Sequence, residues 1–200
     1  MIDTTNPDTE QPKTAARNIP AVFRTVYLTH EAARYLYTRV YEIGNRALYQ
    51  LETMPRLHGA SRRLAQLERN TDERLRALSD DLADAIQQVR QKLAQNGILW
   101  DKKPMEGDAI EALVSARRSG FGQNSYPDES MCAHGPCLLA LMEQFDVLAG
   151  SLDVAQRNDV LTKQSSREEI YRWQRRLKRA VLAVAGTIHK EADVLLNPPG

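Results

Sequence analysis

A long amphipathic helix after Asn70 is the feature that most constrains the fold. Its apolar residues step by three or four positions, as a helix with one buried side requires; they are Leu75, Leu78, Leu82, Ile86, Val89 and Leu93. This heptad-like seam must pack against other helices, because so much apolar surface is unfavourable in water. Asn70 and Glu73 form a predicted N-terminal cap, and Gly97 supplies the stop.

The second half of the chain repeats this periodicity. Residues Leu138 to Val154 are predicted to form a helix that buries Leu138, Leu141, Phe145, Leu148 and Leu152. A capping box of Ser166 and Glu169 precedes the last helix, which buries Ile170, Trp173, Leu177, Val181, Val184 and Ile188. Short helices are expected at Ser61–Arg69 and Asp108–Arg118. The predicted fold class is therefore mainly α, with long helices in a coiled coil or bundle.

One strand is predicted, at Val22–Leu28, where β-branched and aromatic residues dominate. No other segment shows a convincing strand pattern. Because backbone groups of a strand need hydrogen-bond partners, the lone strand predicts a homodimer in which two copies of Val22–Leu28 form an antiparallel ribbon.

A helix should follow the strand, with Thr29 as its N-cap and Leu36, Val40, Ile43 and Ala47 on its buried face. Gly44 and Asn45 predict the end of that helix and the start of a second, which Pro55 stops. The order of strand, helix, turn and helix is that of a ribbon-helix-helix unit.

Net charge and local composition indicate the possible partners, the domain bounds and the compartment. A net charge of +1 over 200 residues provides no overall field for nucleic acid or a membrane. Residues 1–20 are polar and predicted to be a disordered arm, 21–55 form the ribbon-helix-helix-like unit, and 56–200 form a helical extension with an irregular loop at about 97–136. With no signal peptide, no membrane-spanning segment and two cysteines, the expected compartment is the cytoplasm.

The strand is also the sharper candidate for DNA contact, since a two-stranded ribbon fits the major groove. Its alternation directs Phe23, Thr25 and Tyr27 outward, with Arg24 at the rim near a phosphate. Asn45 and Arg46, at the predicted start of the second helix, would favour a phosphate there. The competing interpretation is a dimerisation strap whose aromatic side chains are buried under the helical extension.

A second basic feature is a row on the last helix. Arg172, Arg175, Arg176 and Arg179 share one side of it by their spacing and form a candidate phosphate-binding row. The alternative is a solvated face whose arginines pair with acids on the Asp80–Asp84 helix.

Little in the chain favours catalysis. Cys132, His134 and Cys137 are the one cluster of soft ligands, but they fall short of the four ligands of a structural zinc site. No phosphate loop or nucleophile motif occurs, and adjacent carboxylates such as Asp80 and Asp81 diverge on a helix. The sequence predicts neither an enzyme nor a cofactor or metal.

Three segments resemble the AcaB family of transcriptional regulators from conjugative plasmids and integrative conjugative elements. They are the strand running into Thr29-His30-Glu31-Ala32, the helix end at Asn96-Gly97-Ile98, and Ile170-Tyr171-Arg172-Trp173-Gln174-Arg175-Arg176-Leu177. The part from Tyr171 to Leu177 is the most specific. The similarity runs from about Val22 to Leu196, and Lys102–Pro136 matches poorly.

The resemblance implies a dimeric ribbon-helix-helix DNA-binding protein with added helices, acting on genes of a mobile element. Thr25 departs from it, since a basic residue is expected there. The predicted function is a homodimeric, sequence-specific DNA-binding transcriptional regulator. The alternative is a helical interaction protein of the conjugation machinery that uses its leucine seams to bind a partner helix.

Overall fold

The computed structural model describes residues 22–59, 61–101, 108–115 and 135–196. In chain order the elements are β1 (Val22–Leu28), α1 (Glu31–Leu36), a π-helical turn (Tyr37–Tyr41), α2 (Glu42–His58), α3 (Arg62–Gln95), β2 (Asp108–Ser115), α4 (Gly135–Arg157) and α5 (Lys163–Leu196). The mainly α fold class is confirmed. The predicted disordered arm, 1–20, lies outside the described residues. None of the described helices is apolar over enough of its length to cross a bilayer.

The leucine seam lies on α3, as predicted, and all of its members except the partly buried Ile86 are buried. The helix starts earlier than expected, because the Ser61 hydroxyl accepts a hydrogen bond from the Leu64 backbone N–H at 3.2 Å. The predicted cap at Asn70 is therefore wrong, and the predicted short helix at Ser61–Arg69 is the first part of α3. Gly97 ends the helix with a φ of +72°, a conformation that costs glycine little.

Helices α4 and α5 bury the two predicted stripes in one continuous hydrophobic core with α3. The start of α5 differs from the prediction. Helix α5 begins at Lys163, and the Thr162 hydroxyl accepts a hydrogen bond from the Ser165 backbone N–H. Ser166 is fully buried and donates to the Leu152 carbonyl oxygen at 3.2 Å, so it connects α5 to α4 rather than forming a capping box.

Strand β1 has a partner within the chain. It pairs antiparallel with β2, and the register sets Thr25 opposite Glu111. The helix predicted at Asp108–Arg118 is wrong over Asp108–Ser115, and so is the expectation that β1 lacks an intrachain partner. The run Ala109 to Val114 is short and apolar except for Glu111, and periodicity cannot separate a strand from a helix over such a length.

The predicted helix break at Gly44 is wrong as well. Helix α2 runs through Gly44 and Asn45 and continues past Pro55 to His58. A Cβ atom at Gly44 would lie 2.6 Å from a Val181 methyl and 2.7 Å from a Leu138 methyl. The glycine is therefore needed for the close approach of α2 to α4 and α5, and the ribbon-helix-helix layout loses the turn on which it was based.

The π-helical turn between α1 and α2 accounts for a second difference. A π turn inserts an extra residue into a helix and rotates the residues that follow it. Leu36 and Val40 are buried as predicted, but Ile43 is 44% exposed, and Gly44 takes the buried place beside Ala47. The Tyr37 and Tyr41 rings stack at 4.8 Å across this turn.

Candidate nucleic-acid interface

The ribbon of β1 and β2 carries the sequence-predicted DNA-contacting residues. Val26 and Leu28 are completely buried on the inner side, Thr25 is exposed, and Tyr27 is half-buried. This confirms the predicted alternation at these four positions. Phe23 and Arg24 lie in β1, but their side chains fall outside the described part of the structure. Thr25 and the accessible part of Tyr27 therefore define the outer face of the ribbon.

The junction between the ribbon and α1 is bound to α4 through Asp146, whose carboxylate is completely buried. The Thr29 hydroxyl donates to Asp146 Oδ2 at 2.8 Å, and the His30 backbone N–H donates to Asp146 Oδ1 at 2.7 Å. Thr29 is therefore not the N-cap. The N-cap is His30, whose Nδ1 accepts a hydrogen bond from the Ala32 backbone N–H at 3.0 Å.

The other ring nitrogen of His30 completes the junction. His30 Nε2 lies 3.3 Å from Asp153 Oδ2. Sequence reasoning assigned no role to the His30 ring and missed both carboxylates. A signal was present: Asp146 and Asp153 are seven residues apart on a mostly apolar helix, which sets them on one face two turns apart.

Asn45 and Arg46 do not lie at the start of a helix, where the predicted phosphate site was placed. Both lie inside α2, where the backbone N–H groups are used within the helix, so the N-terminal dipole is absent there. Asn45 is buried, whereas Arg46 is exposed and pairs with Glu42 at 2.5 Å.

The candidate phosphate row on α5 is divided by its contacts. Arg172 pairs with Glu169, and the hydrogen bond to that carboxylate and its negative charge raise the pKa of the Arg172 guanidinium above its ordinary value. Arg176 pairs with Asp81 on α3, as the alternative interpretation predicts, and also lies over the Trp173 ring. The remaining two of the four are exposed: Arg175 lies 5.4 Å from the centre of the Tyr171 ring, and Arg179 points to solvent beside it.

The described residues hold no cluster of three or more side chains that could bind a metal. Cys137 is exposed near the start of α4. Cys132 and His134, the other two members of the predicted cluster, lie outside the described residues.

No family model matches the sequence, and no curated protein matches it. A solved structure does: the crystal structure of selenomethionine-containing AcaB from uropathogenic E. coli, with a TM-score of 0.66 over 90% of this chain and 89% of that chain. The chain has the AcaB fold. The identity to AcaB is 20%, so the likeness is one of backbone architecture. It confirms the resemblance to AcaB that the three sequence segments predicted.

Proposed function

We propose that the protein is a dimeric, sequence-specific DNA-binding transcriptional regulator that acts in the cytoplasm on genes of an integrative or conjugative mobile element. The observation that carries the proposal is the ribbon, whose inner residues are buried and whose outer face presents Thr25. The resemblance to the AcaB family, now supported by a shared fold, implies the same class of function.

A two-stranded ribbon has the dimensions that a major groove admits. A two-stranded β-ribbon enters the groove, and outward side chains then reach base edges. The Thr25 hydroxyl can donate to or accept from a base, and its methyl can contact a thymine methyl. Since β2 supplies the second strand, one chain contains a complete ribbon and does not need a second copy to build it.

The proposed homodimer through Val22–Leu28 then takes a different form. In the described part of the chain, the sheet contains β1 and β2 alone. A strand has two hydrogen-bonding edges, and a copy of β1 on the second edge would give a four-stranded β2–β1–β1–β2 sheet about a two-fold axis. Such a dimer would be two-fold symmetric, as a palindromic site requires.

Phosphate contacts would come from the cations that carboxylates do not already neutralise. In the proposed row these are Arg175 and Arg179, because Arg172 and Arg176 are paired. Each phosphate contact contributes about 0.9 to the slope of log affinity against log salt concentration.

A gel-shift titration with promoter fragments from the surrounding mobile element tests the proposal. We expect a salt-dependent, sequence-specific shift, and we expect Thr25→Ala with Tyr27→Ala to remove the specificity while the protein stays dimeric. Thr187→Ala is the matched control, because Thr187 is exposed on α5 and bonds its own helix. Absence of any shift at low salt would contradict the proposed function.

The phosphate row has its own readout. Arg175→Gln and Arg179→Gln should each weaken binding to all sequences and lower the salt slope by about 0.9. Arg176→Gln should change the slope little, because Arg176 is held by Asp81. Equal effects of all three substitutions would contradict this division of the row.

A helical interaction protein of the conjugation machinery is the second candidate, and two exposed aliphatic side chains favour it. Gln50 of α2 and His189 of α5 are hydrogen-bonded at 2.8 Å, so the two helices are neighbours there. Ile43 and Leu182 each lie seven residues, about two turns, earlier on the same two helices. Ile43 is 44% and Leu182 37% exposed. Ile43→Ser with Leu182→Ser should then abolish capture of a conjugation protein while leaving any DNA shift unchanged.

A further inference from the structure

Two residues, Thr29 and His30, connect the ribbon to the helical body. Both are bound by one side chain. The two oxygens of the Asp146 carboxylate accept separate hydrogen bonds, from the Thr29 hydroxyl at 2.8 Å and from the His30 backbone N–H at 2.7 Å. Because the two donors lie on consecutive residues, the carboxylate fixes the direction in which the chain passes from β1 into α1.

The His30 ring adds a second attachment. Its Nδ1 accepts from the Ala32 backbone N–H at 3.0 Å, so in the neutral ring the proton is on Nε2, directed at Asp153 Oδ2 3.3 Å away. Asp146 and Asp153 both belong to α4. The junction is therefore held at two points, two turns apart, on one helix.

Stability by itself does not explain this choice of residue. Burial of a carboxylate is unfavourable, and an apolar side chain of similar volume in its place is often as stable or more stable. A carboxylate does what an apolar side chain cannot, since its two oxygens determine where two donors lie. Asp146 is completely buried, so water does not compete for those donors.

We propose that Asp146 is the positioning residue of the ribbon: through Thr29 and His30 it fixes the angle at which the outer face of β1 meets DNA, and Asp153 supports it through the His30 ring. The inference rests on the proposed function. A ribbon in a groove tolerates little rotation, because its side chains must reach particular base edges. Loss of the hydrogen bonds to Asp146 reduces sequence-specific affinity for DNA and leaves the phosphate contacts of α5 unchanged.

Thr29→Val is the sharpest test, since valine has nearly the shape of threonine and lacks the hydroxyl donor. We expect specific binding to weaken by up to about tenfold, because the energy of one hydrogen bond to a charged group sets the scale of what its loss can cost, with the salt slope unchanged. Asp146→Asn keeps one oxygen acceptor and should weaken binding in the same direction.

Ser166→Ala is the matched control, because Ser166 is also fully buried and its hydroxyl also bonds α4, at the Leu152 carbonyl. Its melting temperature should fall as that of Thr29→Val does, with unchanged DNA affinity. If Thr29→Val binds like wild type, or if both variants lose affinity equally, the positioning role is overturned.

Amide hydrogen exchange separates this inference from the proposed function. Thr29→Val should accelerate exchange in β1 and leave α5 unchanged, whether or not the protein binds DNA. If wild type binds no DNA, the proposed function fails and the exchange result alone decides the positioning role. Unchanged exchange in β1 would then overturn that role too.

Discussion

Helix α5 and strand β1 are held in place by different kinds of interaction, and the contrast explains where sequence reasoning succeeds. In α5, the backbone hydrogen bonds close within four residues, and the apolar stripe from Ile170 to Ile188 determines the buried side. In β1, every ladder hydrogen bond depends on β2, which lies 80 or more residues later in the chain. Local periodicity therefore predicts the helix and its buried side, but the strand only as an element in need of a partner.

Segment α1–α2 lies between these two cases. Its helical character is local, but Gly44 and the π turn at Tyr37–Tyr41 respond to neighbouring helices. A glycine after an apolar stripe is typical of a helix end; here it is a contact point for Leu138 and Val181. The contrast teaches that a glycine cannot be interpreted until the neighbouring helices are known.

The largest effect on stability is expected from a substitution in the core of the helical bundle. Phe145 is completely buried in α4, and Phe145→Ala should lower the free energy of unfolding by about 3–5 kcal/mol, from lost apolar burial and the cavity left behind. Leu99→Ala is the control, since Leu99 is 93% exposed and its loss should change stability by less than about 0.5 kcal/mol. Urea denaturation followed by circular dichroism measures both. Similar values for the two variants would contradict the burial of Phe145 in the helical core.

In β1, substitutions at two adjacent residues should differ in their effect on stability. Val26→Ala should reduce the free energy of unfolding by about 2 kcal/mol, because the side chain is fully buried against the helices. Thr25→Ala, next to it on the exposed side, should cost less than about 0.5 kcal/mol. The same denaturation experiment checks the pair, and a larger loss for Thr25→Ala would reverse the assignment of the two faces.

Two helical glycines should respond with opposite signs. Gly44→Ala adds a Cβ into contact with Val181 and Leu138, and we expect a loss of about 1–2 kcal/mol from overpacking. Gly186→Ala adds a Cβ into open space on α5, where alanine's helix propensity should stabilise the protein by about 0.5–1 kcal/mol. Melting temperatures report both signs. Stabilisation by Gly44→Ala would mean that α2 does not approach α4 and α5 closely.

The smallest effect is expected from the ion pair between α3 and α5. Arg176 and Asp81 are both about half exposed, with side-chain exposures of 49% and 47%. A double-mutant cycle with Arg176→Gln and Asp81→Asn should give a coupling below about 1 kcal/mol that shrinks further at high salt. A coupling several times larger would indicate that the pair, rather than the leucine seam, sets the spacing of these helices.

Much of the candidate site could be predicted from the sequence, because strand alternation is local. Thr25, Val26, Tyr27 and Leu28 take the predicted faces. Asp146 and Asp153 could not be assigned, since their donors lie more than 100 residues earlier in the chain. The roles of Phe23, Arg24 and Thr25 on DNA stay predictions.

By itself, the sequence determined the long helices, their buried sides, the stop at Gly97 and the presence of β1, because each of these follows from spacing and from backbone bonds within a few residues. The tertiary structure decided the pairing of β1 with β2, the continuity of α2 through Gly44 and the hold of Asp146 on Thr29 and His30. These features depend on which distant segments of the chain come together. The role of a donor, an acceptor or a glycine therefore cannot be assigned until the residue that it contacts is known.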